Sequence, residues 1–95
     1  MYTILVNIDF KIESKRKWSI KDGYRPLFKI PNKKSLFSGI INLHNHYELK
    51  PGEKCDARVS FFSSEVLNDL IIDSKLEFYE GANLVGYAII KELPR

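Results

Sequence analysis

The sequence predicts an all-β fold, a barrel or a sandwich, and three observations carry that reading. Apolar and polar side chains alternate along several short runs; Gly, Pro, Asn and Asp recur at close spacing between them; and no stretch sustains a helical period. The 95 residues make one domain, residues 1–95, with a single core, because a chain of this size buries only about 65% of its unfolded surface. An apolar content of 44% with 28% charged residues excludes a disordered chain, which has too little apolar surface to offset its ordering entropy.

The first run, YTILVNIDFKI at 2–12, puts Tyr2, Ile4, Val6, Ile8, Phe10 and Ile12 on one face, as a strand with one buried side requires. ESKRK at 13–17 has no period and reads as an exposed loop or hairpin tip. Trp18 and Ile20 resume the alternation until Asp22-Gly23 breaks it. Pro26 has no N–H to give a ladder, so RPLFKI begins a strand or runs along an edge, and PNKKS then turns the chain. LFSGIINL at 36–43 is a further strand in which Gly39 marks a bulge or a close approach by another backbone.

Pro51-Gly52 occupies the central positions of a type II turn. Beyond it Cys55, Ala57, Val59 and Phe61 alternate with Lys54, Asp56, Arg58 and Ser60. Val66, Leu67, Leu70 and Ile71 then follow Ser64 at the spacing of a single helical turn capped by that serine. SKLEFYE and LVGYAIIK, joined by Gly-Ala-Asn, form a closing hairpin.

Charge is unevenly distributed. Residues 1–47 carry nine Lys/Arg against three Asp/Glu, and residues 48–95 carry six against nine. All nine cations of the first half lie between Lys11 and Lys34, interleaved with aromatic residues in Arg16-Lys17-Trp18, Tyr24-Arg25 and Phe28-Lys29. Such mixtures suit phosphates and stacked bases. The alternative is a solvated lysine-rich surface, with Trp18, Tyr24 and Phe28 serving as core or barrel-end residues.

Several activities find no support in the residues. Gly81 and Gly86 have the spacing of half a phosphate loop, but Gly86 is followed by Tyr87 and Ala88 where lysine and a hydroxyl are needed, so no nucleotide is expected. His44, His46 and Glu48 would share one side of an extended segment, yet nothing supplies a fourth ligand, and neither metal nor cofactor is expected. Cys55, the only cysteine, alternates with buried residues and reads as a small hydrophobe rather than a nucleophile. Glu77 and Asp73 have no recognisable catalytic spacing, and the expectation is a protein that is not an enzyme. A lone cysteine forms no intrachain disulfide, no leader is evident, and no apolar run approaches the length of about 18 residues that spans a bilayer. The expectation is a free-standing cytoplasmic protein, with Met1 almost directly on the first strand, and no membrane partner.

Once the runs are placed, an ordered set of phrases resembles the C-terminal β-barrel domain of elongation factor Tu. These are Gly23-Tyr24-Arg25-Pro26 followed by Phe28, Phe37-Ser38-Gly39, Leu49-Lys50-Pro51-Gly52, and Phe78-Tyr79-Glu80-Gly81 through Val85-Gly86. The resemblance spans nearly the whole chain and implies a closed antiparallel six-stranded β-barrel with an extended loop over 64–72. It also implies a role in holding the T-arm of aminoacyl-tRNA through its backbone, with no GTPase chemistry, since that chemistry belongs to a separate domain of the family.

Carried over by resemblance, the glutamate of the last hairpin is Glu80 and the hydroxyl before the strand glycine is Ser38. A glutamine position of the family holds Leu27, and two basic positions flanking the hairpin hold Tyr79 and Asn83. The inherited surface is therefore eroded. Two readings follow. One is a translation-linked module binding tRNA or other structured RNA through Ser38, Glu80, Lys15, Arg16, Lys17, Lys29, Lys33 and Lys34. The other is a protein-interaction module, a regulator or an immunity protein, built on the same barrel.

Overall fold

The structure, a computed structural model, describes residues 1–94. Its elements in chain order are β1 (Tyr2–Phe10), β2 (Ile20–Lys21), β3 (Leu27–Lys29), β4 (Leu36–Leu43), β5 (Glu48–Leu49), β6 (Lys54–Phe61), a 3-10 helix (Ser64–Asp69), β7 (Lys75–Glu80) and β8 (Asn83–Glu92). Six strands close a barrel in the order β1-β6-β4-β3-β7-β8, and β2 pairs with β5 in a separate two-stranded sheet. Every neighbouring pair in the barrel is antiparallel. The closed six-stranded form is thus the observed one, and the sandwich is set aside.

The period-two pattern places the core. Ile4, Val6, Ile8 and Phe10 of β1 point inward with Cys55, Ala57, Val59 and Phe61 of β6 and Leu76 and Phe78 of β7. The rings of Phe28, Phe61 and Phe78 meet at its centre, with centroids 5.2 and 5.6 Å from Phe28. These spacings are typical of edge and tilted aromatic packing. Gly39 makes room for them: a Cβ there would come within 2.8 Å of the Phe28 ring and 3.1 Å of the Phe61 ring. The glycine therefore accommodates side chains rather than a second backbone, and β4 pairs with its neighbours without a shift of register. The register shifts instead between Leu5 and Val6 and between Phe78 and Tyr79.

Three local expectations are corrected. Strand β1 stops at Phe10, because the chain turns through Lys11–Ser14, where the Ser14 N–H donates to the Lys11 carbonyl. Ile12 consequently leaves the core face and lies against Gly52. Residues 64–69 are helical, not an extended loop, and the cap is Ser63, whose Oγ accepts from the Glu65 N–H. Val66 and Leu70 are buried by this segment, whereas Ile71 lies beyond its end and is exposed. Finally, only Ile20 and Lys21 of the stretch around Trp18 are extended, so Trp18 escapes the alternation that buries Ile20.

Because direction alternates all the way round, the connections sort into two sets. Residues 11–23, 44–53 and the 81–82 turn lie at the end where β1 finishes, here the upper end, and 24–26 descend along β4. Residues 30–35 and 62–74 lie at the opposite, lower end.

Candidate nucleic-acid interface

The upper end is organised around the loop that leaves β1. Ser14 is buried, and its Oγ accepts from the Arg16 N–H at 3.1 Å and from the Asn83 amide at 3.4 Å. Asn83 in turn accepts from the Lys15 N–H at 3.3 Å, which ties the loop to the β7–β8 hairpin. Gly81 begins that two-residue turn at φ +61°, a conformation that glycine adopts without steric cost.

Arg16 makes the strongest tie. Its Nη1 lies 2.6 Å from Glu80 Oε1, its Nη2 donates to the Ser19 carbonyl at 2.8 Å, and the guanidinium stands 4.6 Å from the centre of the Tyr24 ring. Tyr24 donates its own hydroxyl to the same Glu80 oxygen at 2.7 Å. Burial pushes the Tyr24 phenol far above its ordinary value, the hydrogen bond and charge of Glu80 push the same way, and Arg16 opposes them in part. The Arg16 side chain is only 17% exposed. Its charge is thus directed at Glu80 and not at solvent, and Glu80 is already occupied by two partners.

A second anchor lies at the neighbouring turn. Asp22 Oδ1 accepts from the Leu43 N–H at 2.8 Å and from Asn42 Nδ2 at 3.2 Å. The Gly23 N–H donates to the Ile41 carbonyl, and the Ile41 N–H to the Tyr24 carbonyl, both at 2.8 Å. Between these fixed points Trp18 is 74% exposed, and Tyr47 across the same end is 95% exposed. A groove of about 570 Å³ is lined by Arg16, Trp18, Lys21, Asp22, Tyr24 and Glu48 among others. A second groove, lined by Asn45, His46 and Tyr47, shares Asp22 with the first. Lys15, Lys17 and Lys21 are exposed and in no ion pair among the described residues.

The eight residues expected to touch RNA are not brought to one face. Lys15, Arg16, Lys17 and Glu80 meet at the upper end, whereas Lys33 and Lys34 lie in the β3–β4 turn at the lower end. Lys33 is 3.2 Å from Asp69 of the 3-10 helix, and Lys29 is 4.0 Å from Glu77. Ser38 is exposed on β4 in register with Leu27, which is in register with Tyr79, so three of the positions compared above with a tRNA-contacting barrel form one row across β4, β3 and β7. Sequence reasoning missed Lys21, Asp22 and Tyr47. Tyr47 beside the Asn45 bend was the one local sign, since an aromatic in a turn has no strand face to bury it.

The other chemistries considered meet obstacles in the geometry. His44 and His46 do not share a strand face: Asn45 takes φ +58° and His46 Nδ1 lies 2.9 Å from the His44 carbonyl. No group of three or more potential metal ligands occurs among the described residues. Gly86 lies inside β8, where a Cβ would collide with the Asp9 carbonyl and come within 3.0 Å of the Phe78 ring. Close packing therefore accounts for that glycine. Cys55 is buried, and burial raises its thiol, with Asp56 and Glu53 adding to the effect, so little thiolate forms near neutral pH. No helix is long and apolar enough to cross a membrane among the described residues. No protein-family model matches the chain, and no curated protein matches it in sequence.

Proposed function

We propose that the protein is a non-catalytic, cytoplasmic RNA-binding module whose recognition surface is the upper end of the barrel. One observation carries the reading: Lys15, Lys17 and Lys21, exposed and outside any ion pair among the described residues, flank the exposed Trp18 on a loop held by Arg16, Glu80 and Tyr24. Cations on a rigid frame neutralise phosphates with little ordering cost, and loops on a closed barrel supply that frame. The resemblance to the elongation factor Tu barrel supports a link to translation. The row of Ser38, Leu27 and Tyr79 is where tRNA contacts would survive in weakened form.

A filter or gel-shift assay with tRNA and other structured RNA at about 50 and 200 mM salt tests the reading. Binding at the lower salt that weakens about tenfold or more at the higher is expected for three to five phosphate contacts. No binding at the lower salt overturns it.

A second reading has its own observation. Phe62, Ile71 and Ile72, in the connections of the lower end, are exposed, and large apolar side chains left in solvent are candidates for protein contact. A stoichiometric protein recovered from the native cell by a capture that yields no RNA, and lost on replacing these three by serine, would establish that reading in place of the first.

A further inference from the structure

We infer that the upper end binds RNA as a single strand, with bases stacked on Trp18 and Tyr47 and phosphates carried by Lys15, Lys17 and Lys21. This inference rests on the RNA reading above and names the part of a structured RNA that is held, its unpaired loops and ends. Trp18 and Tyr47 are distant in sequence, and each lines or adjoins its own groove; the two grooves meet at Asp22. That meeting point is fixed by the bonds from Leu43 and Asn42 to Asp22.

Aromatic faces open to solvent have no use against an A-form duplex, which keeps its base faces stacked inside and offers only phosphates, hydroxyls and a shallow groove. They suit unpaired bases, each of which has a free π-face, with a basic track beside them for the backbone. The charge is arranged accordingly. Residues 11–24 hold five Lys/Arg against two Asp/Glu, and Arg16, a largely buried cation in the wall of the groove, is cancelled by Glu80. Asp22 keeps phosphates away from the centre, while its carboxylate suits the N–H donors that every base carries on its pairing edge. The bases therefore enter the grooves and the backbone runs along the lysines.

Trp18 is the only tryptophan of the chain, so its emission reports on the site directly. The protein is titrated with a single-stranded RNA of about twelve nucleotides and with a duplex of the same length, at low salt. The expected result is quenching of Trp18 by the single strand and binding at least tenfold tighter than the duplex. Trp18→Ala and Tyr47→Ala, both at exposed positions, should each weaken the single strand about tenfold and leave the duplex unchanged, with circular dichroism confirming the fold. Duplex binding equal to or tighter than single-strand binding, without quenching, overturns the inference and leaves the RNA reading standing. Failure of either RNA, and of tRNA, to bind at low salt removes both.

Discussion

At the upper end the core is covered by Ile20 and Leu49, side chains of two strands of two residues each, and the loops above them are held by hydrogen bonds and an ion pair. At the lower end Val66 and Leu70 cover the same core from a single 3-10 helix and the segment after it. The surfaces differ in the same sense. Residues 11–24 and 44–53 together carry six Lys/Arg against four Asp/Glu, whereas 30–35 and 62–74 carry two against three and are reached by Arg25 at the Phe62 ring. One end pairs polar tethers with surplus positive charge, and the other pairs an apolar plug with exposed Phe62, Ile71 and Ile72. The proposed binding to a polyanion and the rival docking to a protein thus fall on different ends of one barrel, and each can be tested without disturbing the other.

The largest expected effects are on stability. Leu49→Ala should cost about 3 kcal/mol, in the range for a large aliphatic cut from a close-packed site. Val66→Ala, which removes less volume, should cost about 2 kcal/mol by lost burial. Urea midpoints at constant m-value measure both. A cost below about 0.5 kcal/mol for either, the level of an ordinary surface change, would show that the residue does not close its end.

Charge reversal separates the ends functionally. Lys15, Lys17 and Lys21 replaced together by Glu should weaken RNA binding at least tenfold and lower the slope of log affinity against log salt by about 2, as the loss of three phosphate contacts requires. Lys33 and Lys34 replaced by Glu should change affinity less than about twofold, the value expected of a remote surface under screening. Equal losses from the two variants would erase the distinction between the ends.

The tether itself gives a smaller effect. Arg16→Ala removes an ion pair whose Glu80 partner is nearly half exposed, so screening limits the cost to about 1 kcal/mol. The more telling readout is Trp18, whose fluorescence anisotropy should fall once the loop is released. Arg16→Lys keeps the charge but loses the fork that reaches both Glu80 and Ser19, and it should recover only part of the anisotropy. Unchanged anisotropy in both variants would mean that Ser14 and Asn83 hold the loop without it.

Much of the barrel wall was legible in the residues, and little of the site was. Strand β4 falls on the run read at 36–43, and the inward face of β6 is the one that alternation chose. A period of two reveals which side is buried but carries no information about closure, which depends on register between residues far apart, such as Gly39 with Phe61. The same limit hid the site. Lys17 and Lys33 look like members of one basic stretch, yet β3 lies between them and delivers them to opposite ends. Arg16 reads as a phosphate ligand until Glu80, 64 positions away, is found against it. Trp18 seemed to belong to the buried row of Ile20 because alternation was extended past the two residues that actually pair.

The smallest effect isolates one bond of the upper tether. Tyr24 is held neutral by burial first and by Glu80 second, and its folded pKa stands well above that of a free tyrosine. A raised pKa means that the folded state binds this proton more tightly than the unfolded chain. The resulting stabilisation is complete below about pH 10, the ordinary tyrosine value, and is lost as pH rises through the higher folded value. Of the five tyrosines, Tyr24 and Tyr79 should therefore be the late ones in an ultraviolet titration, since burial and Glu77 also raise Tyr79. Tyr24→Phe should remove the latest step, flatten the alkaline fall in stability and cost about 1 kcal/mol near neutrality for the lost hydrogen bond. A titration in which all five tyrosines ionise together near pH 10 would show that Glu80 is not engaged by the phenol in solution, and the upper end would then rest on Arg16 and the Ser14–Asn83 contact alone.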